Sequence, residues 1–365
     1  MINKLLPVLV CLMVGVVSPL FAQQKSTSVQ FAYDADFLFY FDNREFNRTQ
    51  YQHDFTQFGV RIAPEVGVAI ADTNGVNHRV MVGVAYNQPI GTDYARATFR
   101  PTAYYRMRAK GFDVNLGFVP YTHLIEEMPT YLWYDSLAYE CANIQGALLQ
   151  YRSNKGFVSL LADWRGMWGD STREAFRVVL NGRYQHKWFN VGGMAALNHL
   201  ANSKSKNYGV CDDYLVNPYV GLDFSSYTPS LDSLALRAGY LFGIQRDRNR
   251  DLNYITHGGC IELMVKWKYL GVKNTTYFGD NMFPLYSTYG SVLNLGDPWY
   301  RAQVYNRTDI FAYIYNNRFV NVHATFSIDV TQEGTFNCQQ QLIAQFNLGR
   351  VFDKKAPKLR SLLGR

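Results

Sequence analysis

Hydrolytic enzymes combine serine, histidine and acidic residues as nucleophile, base and orienting acid, and two places in the sequence carry two or more of these types. His323, Ser327 and Asp329 fall in one phase of an alternating segment and share one face of a predicted strand. His323 and Ser327 would lie about 13 Å apart at about 3.3 Å per residue, beyond hydrogen-bonding reach. The other place, WGDST at 168–172, is a predicted loop without a strand-to-helix turn. We therefore predict no catalytic residues and no enzyme activity.

Cysteine, histidine and the acidic residues show no metal-binding spacing. Beyond the N-terminal segment the cysteines are Cys141, Cys211, Cys260 and Cys338, and none forms a CxxC pair. We predict no metal and no cofactor. A disulfide between Cys141 and Cys211, both in predicted loops, stays open. The formal charge of +7 is spread along the chain, so nucleic acid is not an expected partner.

Charged residues do show a pattern in the segment ATFRPTAYYRMRAKGFDVNLGF, residues 97–118. Phe99, Ala103, Tyr105 and Met107 alternate with Arg100, Arg106 and Arg108, and after Lys110 and Gly111 the alternation resumes. A period of two predicts two β-strands joined by a tight turn, each with an apolar and a polar face.

The same alternation recurs from Ser28 to Leu348 in about 16 segments, although 14 or 18 strands remain possible. Long connections, such as 120–143 and 280–300, alternate with connections of two to five residues. This is the pattern of an outer-membrane barrel. We predict an all-β fold, a transmembrane antiparallel β-barrel with short periplasmic turns and long extracellular loops.

Composition and the N-terminus agree with this prediction. The chain has 27 Tyr and 24 Phe but only 18% charged residues. Its mean hydropathy of −0.19 is too polar for a helical membrane protein. Residues 1–22 combine Lys4, an apolar run and small residues before a cut after Ala22, which indicates a signal peptide. We expect residues 23–352 to form the barrel and 353–365 a basic periplasmic tail.

In a closed barrel of this size the polar phase faces a watery lumen. An arginine facing lipid at mid-depth would cost about 2–4 kcal/mol, which fixes the direction of each face. Basic residues outnumber acidic ones in the inward phase, and this favours anions. The predicted pore-lining residues are Arg61, Arg100, Arg106, Arg108, Asp113, Arg165, Arg177, Arg183, Arg237, Glu262, Lys266 and Lys268.

The long loop 121–143 offers two interpretations. It could fold inward and narrow the pore, with Glu126, Glu127 and Trp133 as candidate constriction residues. Its aromatic residues could instead form a belt at the outer rim of the membrane.

Several segments carry a family resemblance: YFDNREF at 40–46, TQFGVRIAPEVGV at 56–68 and HRVMVGV at 78–84. With GALLQYRS, LADWRG and TREAFRVVLNG further on, most of the chain resembles porin-like outer-membrane β-barrels of Bacteroidota. The resemblance implies a barrel in the cell outer membrane, but no substrate.

Together these observations predict a porin-like channel for passive diffusion of small hydrophilic solutes, with a mild anion preference. The alternative is a non-conducting barrel that binds a surface lipoprotein or transport complex. Outer-membrane lipids and lipopolysaccharide are expected partners, and a homo-oligomer is possible.

Overall fold

The chain forms a single closed barrel. The computed structural model describes residues 28–47, 49–72, 74–352, 355 and 357–359. The predicted signal peptide at 1–22 lies outside these residues, as does most of the predicted tail at 353–365.

Sixteen antiparallel strands close the barrel within the described residues, each paired with its sequence neighbours. The first and last strands meet where β1 pairs with β16, with Asp36 opposite Asn347 and Glu45 opposite Cys338. The all-β fold and the strand number are confirmed. The strands are β1 (Ser28–Glu45), β2 (Phe55–Ala71), β3 (Asn77–Pro89), β4 (Thr98–Ala109), β5 (Phe112–Pro120), β6 (Asn143–Ser153), β7 (Gly156–Gly166), β8 (Ala175–His186), β9 (Phe189–Leu200), β10 (Cys211–Asp223), β11 (Ser233–Asp247), β12 (Leu252–Trp267), β13 (Leu270–Gly279), β14 (Val304–Asn316), β15 (Val320–Thr331) and β16 (Phe336–Asn347).

Alternation along each strand separates an outer apolar face from an inner face. In β4, Thr102, Tyr104 and Arg106 point inward and are buried, whereas Phe99 points outward and is exposed. Closure pairs the edge strands, so apolar side chains can cover the outside without leaving unpaired backbone groups in lipid.

The two ends of the barrel differ in the length of their connections. One end, the loop end, carries the connections 46–54, 90–97, 121–142, 167–174, 201–210, 248–251, 280–303 and 332–335. The opposite turn end carries mostly two- to five-residue turns, such as Lys110–Gly111 between β4 and β5. Lys110 and Gly111 both have positive φ, as a tight hairpin requires.

Aromatic side chains are exposed in two bands on the outer surface. Phe99, Trp164 and Phe278 lie towards the loop end, and Tyr151, Trp188 and Trp267 towards the turn end. Two aromatic girdles are typical of barrels that cross the outer membrane.

The described residues form three short α-helices: α1 (Asp135–Glu140), α2 (Tyr286–Leu293) and α3 (Gly349–Phe352). Among the described helices, none has both the length and the apolar content that a membrane-crossing helix needs. Both α1 and α2 belong to connections at the loop end.

Candidate functional site

The connection 121–142 folds into the barrel and crosses it from wall to wall. On one side the ring of Tyr139 stacks on Tyr40 of β1, with centroids 4.4 Å apart and ring planes 1° apart. On the other side the amide of Asn217 of β10 donates a 2.8 Å hydrogen bond to the hydroxyl of Tyr131. We call residues 121–142 the plug loop, since both of these walls hold it inside the lumen.

Buried ion pairs fasten the plug loop to the wall. Arg307 of β14 lies 3.1 Å from Asp135 at the start of α1 and 2.8 Å from Asp309. The amide of Gln341 also donates to Asp135 and to the hydroxyl of Tyr139. Because Asp135 and Arg307 are both at most 6% exposed, this network is shielded from water.

The connection 280–303 closes the loop end above the plug loop. Trp299 and Tyr300 are fully buried, and Trp299 lies parallel to Tyr305 of β14 with ring centroids 5.8 Å apart. The backbone of Leu295 accepts a 2.9 Å hydrogen bond from Tyr134 of the plug loop. One apolar cluster joins residues of both loops, such as Leu132 and Phe283, to inward residues of the wall from Met81 of β3 to Leu215 of β10. The loop half of the lumen is therefore packed rather than open.

Asp297 in this upper connection is buried and makes one long ion pair. Its nearest guanidinium, that of Arg307, is 3.8 Å away, and the amide of Gln52 donates to its carboxylate. Burial raises its pKa to about 7, while Arg307 pulls the pKa down and Asp135 pushes it up.

Most predicted pore-lining residues point inward, but many bind the plug loop or an acidic neighbour. Arg61 donates to the carbonyls of Ala138 and Tyr139, at 2.9 and 3.0 Å. The predicted constriction residue Trp133 lies under the guanidinium of Arg177, and Glu126 pairs with Arg183 at 2.7 Å. Glu127 lies in the same loop, partly buried. The plug loop thus lies in the lumen and not in a rim belt.

All but one of the remaining predicted pore-lining residues occupy inward positions. Arg106 and Arg108 both contact Asp113, and Arg237 lies 3.5 Å from Glu262. Arg100 and Lys266 occupy inward positions, and Arg165 donates to the carbonyl of Val292. Lys268 does not line the lumen: it lies in the turn after β12 with φ of 50°, beside the ring of Trp267. Its place in the alternation was misjudged because the strand ends one residue earlier.

The Ser, His and Asp residues noted in the sequence do not act together. Ser327 donates to Asp309, Asp329 accepts from Tyr305, and the His323 ring lies beside Asn321. His323, Ser327 and Asp329 are all fully buried. Cys141 and Cys211 are free thiols, so the disulfide is absent. No cluster of metal-ligating side chains occurs among the residues that the structure describes.

A different histidine, on the outer face, is paired with a carboxylate. His199 of β9 and Asp212 of β10 are cross-strand partners, and Nδ1 of His199 lies 2.6 Å from Oδ1 of Asp212. Arg248 holds the other carboxylate oxygen, with its Nη2 2.6 Å from Oδ2. The pair lies on the outer face because Asn198 and Leu200, on either side of His199, point inward. We call His199 and Asp212 the outward dyad.

The surroundings of the outward dyad place it at the upper edge of the apolar band. His199 stacks on Phe176, which stacks on Trp164, in one cross-strand row. Towards the turn end the outer face of β10 continues with Val216 and Val220. His199 and the aromatic Phe189 at the other end of β9 are about 33 Å apart along the strand at about 3.3 Å per residue. For strands tilted by about 40° this is close to the roughly 25 Å height of a lipid-facing band.

This arrangement can perform general acid–base chemistry at a lipid surface. A carboxylate at Nδ1 fixes the imidazole tautomer and leaves Nε2 as the nitrogen that can accept a proton. The side chain of His199 is 18% exposed, so it is partly accessible from outside the barrel. Sequence reasoning missed the dyad because His199 and Asp212 lie thirteen positions apart on either side of a loop, and no local motif marks the pair.

A second outward polar group lies on β16, β1 and β2. Asn43 donates to Gln340 and Glu45, and Thr56 donates to Asn43. A cavity of about 430 Å³ opens beside them, lined also by Asp54 and Phe55. We call this the rim cavity.

Comparisons with known proteins give a family and a fold. A family model described as Lipid A 3'-O-deacylase-type matches residues 22–355. No curated protein sequence matches the chain. The structure of OccK2 (OpdF) from Pseudomonas aeruginosa superposes with a TM-score of 0.51 at 10% identity, covering 87% of this chain and 98% of that one. A mutant porin of Rh. blastica gives 0.48 at 11% identity, covering 87% and 100%.

These comparisons confirm a porin-like barrel, as the sequence predicted. They also correct one prediction. The expectation that the chain is not an enzyme is wrong, because the matching family is named for an enzyme activity.

Proposed function

Because the chain belongs to the Lipid A 3'-O-deacylase-type family, we propose that it hydrolyses an ester-linked acyl chain of lipid A, with His199 as general base. The observation that carries this proposal is the position of the outward dyad. It is a histidine–carboxylate pair on the lipid-facing side, at the edge of the apolar band.

The buried polar networks inside the barrel are poor alternatives for this reaction. Ser327, Asp309 and Arg307 are at most 4% exposed and bind one another. A lipid with several acyl chains has no route to them through a lumen that the plug loop fills. An ester at the membrane surface can reach His199 directly.

In the proposed reaction, Nε2 of His199 takes a proton from a water molecule as the water oxygen attacks the acyl carbonyl. The C–O bond to the sugar then breaks, and the imidazolium returns the proton to the leaving sugar oxygen. The products are a free fatty acid and a sugar hydroxyl, so no oxidant or further reactant is needed. Asp212 stabilises the imidazolium that forms in between.

The proposal assigns the loop end to the outside of the cell and the barrel to the outer membrane. In that orientation the dyad is level with the headgroups of the outer leaflet, where lipopolysaccharide resides. Lipopolysaccharide, predicted from the sequence as a membrane partner, is then the substrate.

The test is mass spectrometry of lipid A after incubation with the refolded full chain in detergent micelles. We expect the loss of one ester-linked acyl chain. The variant His199→Gln should lower the rate at least 100-fold, within the usual contribution of a general base. Intact lipid A with well-folded wild-type protein rejects the function.

His257→Gln is the matched control. His257 is a second outward histidine near the loop end, but its ring contacts the hydroxyl of Tyr240 and not a carboxylate. This variant should keep wild-type activity. If His199→Gln also keeps it, the dyad assignment fails, and Glu45 and Thr56 at the rim cavity become the residues to replace.

Passive diffusion of small hydrophilic solutes, with a mild anion preference, stays a prediction from the sequence. The inward Arg and Lys residues favour it, but ion pairs occupy many of them and the loop half of the lumen is packed. The binding role towards a surface lipoprotein also stays a prediction.

A further inference from the structure

Beside the outward dyad lies an arginine that no described residue pairs with. Arg246 of β11 is the cross-strand partner of Asp212 and points outward, since its neighbours Gln245 and Asp247 are fully buried. Arg246 itself is exposed. Asp212 is already occupied by His199 and Arg248. The Arg246 guanidinium is therefore free for a ligand outside the protein.

The nearby charges favour an anion. Arg248 lies two residues further along, and the adjacent connection 201–210 carries the exposed Lys204 and Lys206. Asp247 is buried and bound by Tyr289, so its charge is turned away from the outer surface. Asp251 is the exposed carboxylate in the turn 248–251. Asp170, in the connection packed against 201–210, is a second exposed carboxylate. The exposed cations Lys204, Lys206, Arg246 and Arg248 still outnumber these two exposed carboxylates.

The height of Arg246 on the barrel narrows the kind of anion. It is the penultimate residue of β11, as His199 is of β9, so both lie at the upper edge of the apolar band. Strands two apart are separated by about 10 Å. An anion bound here would sit at the headgroup level of a lipid whose acyl chains cover the outer face below.

We infer that Arg246 binds a phosphate of the glycolipid substrate and so selects phosphorylated lipid A for the dyad. The inference rests on the proposed function. Guanidinium groups bind phosphate through paired charge-assisted hydrogen bonds. A phosphate on the sugar that carries the ester would be within reach of Arg246 while the ester contacts His199.

The test compares lipid A with its phosphates intact and lipid A from which they have been removed, both in micelles. For wild-type protein we expect a KM at least about tenfold lower on the phosphorylated substrate. Arg246→Gln should raise KM about tenfold on that substrate alone and leave kcat unchanged. Arg246→Lys should recover part of the loss. Lys268→Gln, at the turn end, is the charge-matched control and should change neither constant.

Equal KM values for the two substrates, or an Arg246→Gln variant that loses activity on both, would overturn the inference while the deacylase function stands. If no hydrolysis occurs, a measurement of lipid A binding tests the role of Arg246 separately from the deacylase function. In the His199→Gln background, quenching of tryptophan fluorescence measures lipid A binding. Tighter binding of the phosphorylated form that Arg246→Gln abolishes supports the inference, and equal binding of both forms rejects it.

Discussion

At His199 the alternation of a single strand decides which solvent the imidazole meets. One residue earlier or later, the ring would point into a packed interior beside Asn198 or Leu200. Asp212 and Arg248 then turn an exposed ring into an oriented base, because the carboxylate is itself held from its second oxygen. His199 of β9, Asp212 of β10 and Arg248 of the turn 248–251 are thus all needed to make Nε2 of His199 an oriented proton acceptor.

Asp297 allows a prediction on pH at the same scale. Its pKa of about 7 means that the folded protein holds a proton that the unfolded chain releases near pH 4. The free energy of unfolding therefore falls as the pH rises from about 4 to about 7. Asp297→Asn keeps a neutral side chain at every pH and should remove this part of the fall, with a gain over wild type of at least about 1.4 kcal/mol at pH 8.

The measurement is urea denaturation of the two proteins in micelles at pH 5 and pH 8. Unfolding is monitored by the difference in electrophoretic mobility between folded and unfolded barrels. The gain of the variant should be clearly smaller at pH 5 than at pH 8, because at pH 5 the wild type has lost only the first part of this stability. A constant difference between them at both pH values would contradict the raised pKa of Asp297.

At the scale of elements, the plug loop depends on Arg307. This guanidinium lies within 4 Å of Asp135 in α1, Asp297 in the upper connection and Asp309 in the wall, so it joins three segments. Removing one partner from a buried ion pair commonly costs about 3–5 kcal/mol, because the remaining charges lose their counter-charge.

Arg307→Met should therefore lower the free energy of unfolding by about 3–5 kcal/mol in urea denaturation. Arg108→Met is the control. Arg108 also contacts a carboxylate, Asp113, but its side chain is 55% exposed, so the loss should stay below about 1 kcal/mol. Similar losses in both variants would show that the network around Arg307 does not fasten the loop.

On the scale of the whole molecule, the packed loop half means that the width of the barrel does not by itself predict ion conductance. Sixteen strands are enough to enclose an aqueous channel. Here the plug loop and the connection 280–303 occupy that space, with buried aromatic residues such as Tyr131 and Trp299.

We expect refolded wild-type protein to give no conductance steps in a planar bilayer. Pro120 and Asn143 are direct partners at the ends of β5 and β6, so a short turn can replace residues 121–142 without disturbing the strands. This variant should show ohmic steps if the plug loop is the barrier. Steps from the wild type would instead support passive diffusion and contradict a closed lumen.

Much of the architecture follows from the sequence alone. Alternation between lipid-facing and inward residues is local, so Phe99 and Arg106 reveal their faces without knowledge of any other strand. The even strand number follows from counting the alternating segments. The sequence places Lys268 in the lumen only because the alternation continues one residue beyond the end of β12 at Trp267.

What the tertiary structure decided is every feature that joins distant parts of the chain. Nothing local states that Tyr139 stacks on Tyr40, or that Asp135 meets Arg307, because these contacts depend on the direction in which a long loop folds. The outward dyad is of the same kind: the register between β9 and β10 brings His199 to Asp212. The sequence determined which side of each strand meets lipid, since transfer of side chains out of water is a property of each residue. The structure decided which side chains meet each other, since that depends on strand register and loop path.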